Sequence, residues 1–181
     1  MCNCFFFETA FRLRTAVFGN NADMQNTARQ LVIVCFGTPA IAGDSLGPEV
    51  GTLLRDDKDF PAFVYGTLDH PITGRNMNDW ISFVKEAHKD AVFVAVDACL
   101  GDERNLGKIS VRSDGVCPAA VGGKKSRFGD VGIIAVVGDK SQDALTALMQ
   151  ANSLYVSELA HKVSFMIKAA VRDFRNAETA F

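Results

Sequence analysis

Two aspartates stand in this chain where a fold has to give them a reason. Asp44 lies in "CFGTPAIAGDSLGPEV" (35–50), a loop with three glycines and two prolines directly behind the apolar run "LVIV". Asp97 closes "AVFVAVD" (91–97), a largely β-branched run that belongs inside a protein. A carboxylate at the end of a buried strand needs a hydrogen-bond partner or a chemical task. Two carboxylates brought together can act on a carbonyl in either of two ways. They can share a proton, one serving as base toward water and the other as acid toward the leaving group. Alternatively they can hold a divalent metal ion that polarises the carbonyl.

Each acid also has a structural reading. Asp44 and Ser45 precede a helix and could satisfy its free N–H groups. With Pro48 at the first helical position, however, the cap falls on Gly47 and leaves Asp44 upstream in the glycine turn. Asp97 could accept hydrogen bonds from the following turn, "ACLG". Around the two acids, Thr38, Ser45, Thr67, His70 and Asn76 are the candidate substrate-binding residues. His70 sits in the loop after the second strand, open to a ligand or proton-carrying role as well as a loop-structural one. His88 and His161 fall on helices and read as solvated or packing residues.

The elements that would position these residues follow from apolar periodicity. Strands are expected at 31–36, 62–66, 91–97, 107–113 and 129–138. Helices are expected over 48–56, 76–89 and 153–174, the last carrying Val156, Leu159, Val163, Met166, Ile167, Ala170 and Phe174 on one stripe. Strands alternating with helices imply an α/β three-layer sandwich on a mostly parallel sheet. No helical pattern separates 107–113 from 131–137, so that pair is expected to be antiparallel or joined by an irregular loop. Residues 1–30 read as a partly helical N-terminal extension and 31–175 as one α/β domain. In such a sheet ligands bind at the carboxyl ends of the strands, where Asp44 and Asp97 would converge.

Composition narrows the classes. The 181 residues suffice for one domain with a sizeable core. A net charge of -2 argues against a nucleic-acid binder, and no apolar run reaches bilayer-spanning length. Five cysteines without a CxxC pair fit a reduced, cytoplasmic compartment. Arg12 and Arg14 follow rather than precede Phe5–Phe7, the wrong order for a secretory signal. The loop "GVCPAAVGGKKSRFGD" (115–130) lacks the GxxxxGK[ST] frame of a phosphate loop. Lys124, Lys125 and Arg127 there read as solvated or as attracting an acidic ligand.

Together "CFGTPAIAGDSLGPEVGTLL", "VYGTLDHPITGRNM", "VFVAVDACLG" and "LMQANSLYVSELAHKV" resemble the YyaC-type sporulation proteins, the DUF1256 family. That family is similar to the germination protease of spores and to the hydrogenase maturation peptidases. The resemblance implies a phosphorylase/hydrolase-like fold and a two-acid functional pair at positions matching Asp44 and Asp97. In the maturation peptidases the pair, with a histidine, engages nickel in the substrate; in the germination protease two aspartates are catalytic. Here Thr73 of "PITGRNM" stands where the family carries histidine, while His70 lies three residues earlier. The loop "PAAVGGKK" likewise departs from the family's glycine pattern. The expected function is a sporulation-associated, aspartate-dependent or metal-assisted peptidase acting on a protein or peptide. A homo-oligomer is compatible with the sequence. A binding or regulatory protein keeping the peptidase architecture, and a hydrolase of small amides or glycosides, are the alternatives.

Overall fold

The computed structural model describes residues 7–9, 11–12, 15, 30–118 and 127–178. Five strands form one sheet: β1 (Leu31–Cys35), β2 (Phe63–Tyr65), β3 (Val92–Gly101), β4 (Ile109–Arg112) and β5 (Val131–Asp139), in the order β2-β1-β3-β5-β4. All neighbours run parallel except β4, which lies antiparallel to β5 at the edge. The absence of a helical pattern before β5 therefore has its expected consequence. A parallel partner would need a long crossover, whereas an antiparallel one does not.

Four helices cover the sheet: α1 (Leu46–Arg55), α2 (Met77–Ala87), α3 (Ala144–Gln150) and α4 (Ser153–Glu178). β1 shows why a continuous apolar run forms here rather than an alternating one. Ile33 and Cys35 face a core with Val50 and Leu54 of α1 and Leu159, Val163 and Ile167 of α4. Val32, Val34 and Phe36 face a second core with Met77 and Val84 of α2. Both faces are covered, so every second residue finds an apolar layer on its own side. The result is a helix–sheet–helix sandwich, as the alternation of patterns predicts.

The structure also differs from the sequence expectations in three places. The helix expected at 48–56 begins at Leu46, directly behind a 3₁₀ turn at Ala42–Ser45, so Pro48 is its third residue. The third strand does not stop at Asp97 but continues to Gly101, held by β5 alone in its second half. Helix α3 was not expected at all. Its Asp143 cap, accepting the Thr146 N–H at 3.1 Å, is the signal that marks it.

Near the N-terminus, residues 7–9 and 11–12 are helical, and Arg12 pairs with Glu8 at 2.8 Å. No described helix is long and apolar enough to cross a membrane.

Candidate active site

The connection β1–α1–β2 steps to one side of β1, and the connection β2–α2–β3 steps back past it to the other. The loops leaving β1 and β3 therefore diverge between these two strands, which makes this the switch point where an open α/β sheet offers a crevice. The register locates it. Cys35 pairs with Val96, and the Phe36 N–H still reaches the Val96 carbonyl at 2.9 Å. Beyond that β1 turns away, with the Gly37 N–H donating to Ile72 at 2.9 Å. Asp97 is thus the first residue of β3 to extend past β1, while its other flank pairs with Ile134 of β5.

The β1–α1 loop brings Asp44 to the same place. Gly37 takes a φ of 134°, and a Cβ there would run into the Asp44 carbonyl. The Thr38 N–H then donates to Asp44 twice over, to its carbonyl at 3.0 Å and to its carboxylate at 2.9 Å. The loop closes on itself through the Asp44 side chain. Asp44 is not the cap of either element: the N-cap positions are Ile41 and Ser45, and the Asp44 carboxylate accepts from Thr38 instead. Gly47 packs its bare Cα against the Phe36 carbonyl, so these glycines admit backbone close to backbone.

Electrostatically the Asp44 charge acts on Asp97. Among the described residues no lysine or arginine forms an ion pair with either. Burial raises the Asp97 carboxyl well above the ordinary range and the Asp44 charge adds to it, with the Ala98 N–H opposing. Burial also raises Asp44, opposed by the Thr38 N–H. Asp97 is the more strongly raised, so it is the member that keeps a proton when the other has lost its own. The neighbouring thiols are affected in the same sense. Cys35 is raised by burial and then by Asp97, which makes it an inert core side chain rather than a nucleophile. Cys99 is raised by burial and by Asp97, with Arg112 opposing.

The other candidate residues separate into two groups. After Tyr65 the chain leaves the sheet and folds over α1. Leu68 donates its N–H to the Thr52 hydroxyl at 2.9 Å, and Arg55 reaches Thr67 at 3.1 Å and Asp69 at 3.0 Å. Thr67 is buried and its hydroxyl also accepts the His70 N–H, while His70 is exposed on this excursion. The chain then returns, and Ile72 bridges Phe36 in parallel. Thr73 and Asn76 follow that return, so they belong to the strand ends beside Gly37. The Asn76 carboxamide accepts from the Thr73 N–H at 2.8 Å and from its hydroxyl at 3.3 Å, and donates to Pro71 at 3.1 Å. Asn76 thus braces the turn.

Thr38 accepts the Ala40 N–H on its hydroxyl at 3.3 Å. Ser45 is buried, its hydroxyl 2.8 Å from the Ala42 carbonyl and 2.7 Å from Glu49. Of the two histidines expected on helices, His161 lies on α4 and His88 just past the end of α2. His161 is exposed, whereas His88 is buried between Tyr65 at 2.9 Å and Gln30 at 3.0 Å. Of the 115–130 loop, residues 119–126, with Lys124 and Lys125, lie outside the described residues. At its ends Val116 bridges Phe128, and Arg127 pairs with Asp114 at 3.1 Å.

Among the described residues no three or more His, Cys, Asp or Glu side chains are gathered as a metal site. Asp44 and Asp97 alone offer two oxygen-bearing side chains, one of them inclined to stay protonated, against the three protein ligands usual at a catalytic centre. A resident zinc ion does not fit this donor set among the described residues.

The mostly parallel five-stranded sheet between two helix layers is a fold of the hydrogenase maturation protease kind. A [NiFe] hydrogenase maturation protease, HycI from Thermococcus kodakarensis KOD1, superposes with a TM-score of 0.58 at 18% identity, covering 88% of this chain and 99% of that one. The likeness is one of fold. By sequence, the chain belongs to the DUF1256 family, described as a protein of unknown function, whose model matches residues 12–165. It is 38% identical over 111 residues to the uncharacterized protein YyaC of Bacillus subtilis (strain 168). That match takes in 60% of this chain and spans about half, 54%, of the length of YyaC.

Proposed function

We propose that this chain is a peptidase-like hydrolase in which Asp44 and Asp97 share one proton across the switch point. The observation that carries the reading is the placement of two carboxyls, both raised by burial and Asp97 further raised by the Asp44 charge, with no described cation paired to either, on the loop after β1 and on the overrunning β3. Asp44, ionised, takes a proton from water as its oxygen attacks the peptide carbonyl carbon. Asp97 lends its proton to the carbonyl oxygen of the resulting tetrahedral intermediate. As the C–N bond breaks, the proton on Asp44 passes to the departing nitrogen and Asp97 recovers its own, leaving acid, amine and the original pair. The motif resemblance to sporulation proteins gives the setting, and the free thiols suit a cytoplasmic location.

A second reading has an observation of its own. Asp44 already latches its loop through Thr38, so the acid has a structural duty that a non-enzymatic binding protein would also keep. Screening peptide libraries with wild type, Asp44→Asn and Asp97→Asn separates the two. Asparagine keeps the acceptor for Thr38 but cannot carry the proton. Cleavage that disappears in both variants supports the hydrolase, and cleavage that survives the double substitution eliminates the acid pair. A wild type that binds peptides but cleaves none favours the binding protein.

A further inference from the structure

Helix α3 lies against the acid-bearing loop, and nothing in the mechanism above uses it. A Cβ on Gly43, next to Asp44, would lie 2.9 Å from both the Leu148 Cδ2 and the Leu148 carbonyl oxygen. Leu148 is half-buried in that contact, and Ala147 is buried toward β5. Leu145 and Leu148 are three residues apart and Leu145 and Met149 four, so the three share one side of the helix. Leu145 is nevertheless 54% exposed and Met149 63%, and Leu154, opening α4, is 77% exposed.

The segment that carries these side chains is also uncharged, bordered by the exposed Asp143 and Glu158. Residues 144–157 contain no charged side chain, in a chain where 22% of residues are charged. Large exposed apolar side chains on an uncharged segment mark a place that another molecule covers. Because the stripe begins at the loop that presents Asp44, its occupant extends from the two acids outward.

We infer that Leu145, Met149 and Leu154 form a docking ridge for the apolar flank of the peptide that the acid pair acts on. The inference rests on the hydrolase reading for what happens at the acids. It adds the substrate class, a peptide with an uncharged, aliphatic or aromatic segment beside the bond to be cleaved. Specificity would then lie in apolar burial on α3 rather than in a charged contact.

The test uses the full chain carrying Asp44→Asn and Asp97→Asn, with benzoylphenylalanine in place of Met149 or, as a control, of Phe165. Phe165 is likewise exposed but lies farther along α4, about 18 Å from its start. Two dodecapeptide libraries of equal charge serve as probes, one with a central apolar block and one with a central polar block. The ridge predicts at least roughly ten-fold more crosslinking of the apolar library at Met149, lowered by a similar factor on Leu145→Ser. Equal labelling of both libraries, or the same preference at Phe165, overturns it. Crosslinked dimers of the chain in place of peptide adducts overturn it too, assigning the face to a second copy.

Wild type acting on the apolar library supplies the separate catalytic arm. There Leu145→Ser with Leu154→Ser raises KM and leaves kcat in place; a KM unchanged by both substitutions sinks the ridge. No cleavage by wild type defeats the hydrolase reading instead, and the crosslinking contrast still decides the ridge.

Discussion

Thr38 donates one backbone N–H to two oxygens of Asp44, the carbonyl at 3.0 Å and the carboxylate at 2.9 Å. The acid proposed to activate water is therefore held by its own loop rather than by a distant partner. Asp44→Ala removes the side-chain acceptor but leaves the carbonyl, so the expected loss is about 1 kcal/mol relative to Asp44→Asn. The asparagine variant keeps the acceptor and should be at least as stable as wild type at neutral pH, where the buried carboxylate is disfavoured. Urea denaturation of the three proteins checks this; an alanine variant as stable as the asparagine one would show that the latch contributes nothing.

Gly47→Ala should be costly for a different reason. Its Cβ would enter the space of the Phe36 carbonyl, which is backbone and cannot swing aside. Roughly 3 kcal/mol of lost stability is expected, since overpacking has to move β1 or α1. A thermal midpoint unchanged from wild type would mean that α1 slides freely on the strand end.

The pH dependence of stability carries a definite sign at Asp97. Its carboxyl is raised in the folded state, by burial first and by Asp44 second. Folding therefore favours the protonated form, and that contribution is lost as pH rises from the ordinary carboxylate range through the raised value. Asp97→Asn should be more stable than wild type at neutral pH and indistinguishable from it near pH ~3. Thermal midpoints across that range measure the gap, and a gap that widens toward acid would contradict the raised carboxyl.

Asp57 should behave in the opposite sense. The side-chain hydrogen bond from Lys168 holds it below the ordinary range, with Asp59 N–H and Arg172 assisting. Its contribution is present above the usual carboxylate value and is lost as pH falls through the lowered one. Asp57→Asn is expected to be less stable than wild type at neutral pH, with the difference closing on acidification. Differential scanning calorimetry at neutral and acidic pH provides the comparison, and a difference that persists in acid would point to packing instead.

His88 joins the end of α2 to the edge of the sheet, between the Tyr65 hydroxyl and the Gln30 carboxamide. His88→Phe keeps ring volume beside Phe63, at 4.5 Å between ring centroids, but strands both polar partners. A loss of about 2 kcal/mol is expected in chemical denaturation. A neutral result would mean that water replaces the ring nitrogens at no cost.

The sequence makes some of these features readable and hides others, and the division has a physical basis. Apolar runs rich in valine and isoleucine, such as 31–36 and 91–96, declare buried strands because burial on both faces is a property of each run alone. That Asp97 overruns β1 is a relation between two strands, and no single run contains it. The loop after Tyr65 misleads in the same way. Thr67 and His70 are nearest in sequence to the second strand, yet the excursion takes them onto α1, and Ile72 restores the register for Thr73 and Asn76. Helix α3 escapes notice because its apolar side chains are largely exposed, so the buried-stripe pattern that reveals α4 is missing.

The excursion from Gly66 to Pro71 has a further consequence for how such chains can diverge. Tyr65 is fixed to Val34 and Ile72 to Phe36, so each end of the detour is fastened independently. Residues could be added or removed at the exposed tip around Asp69 and His70 without shifting the strand ends that flank the two acids. The detour is a side branch, and its length is free to drift while the placement of Asp44 and Asp97 stays put.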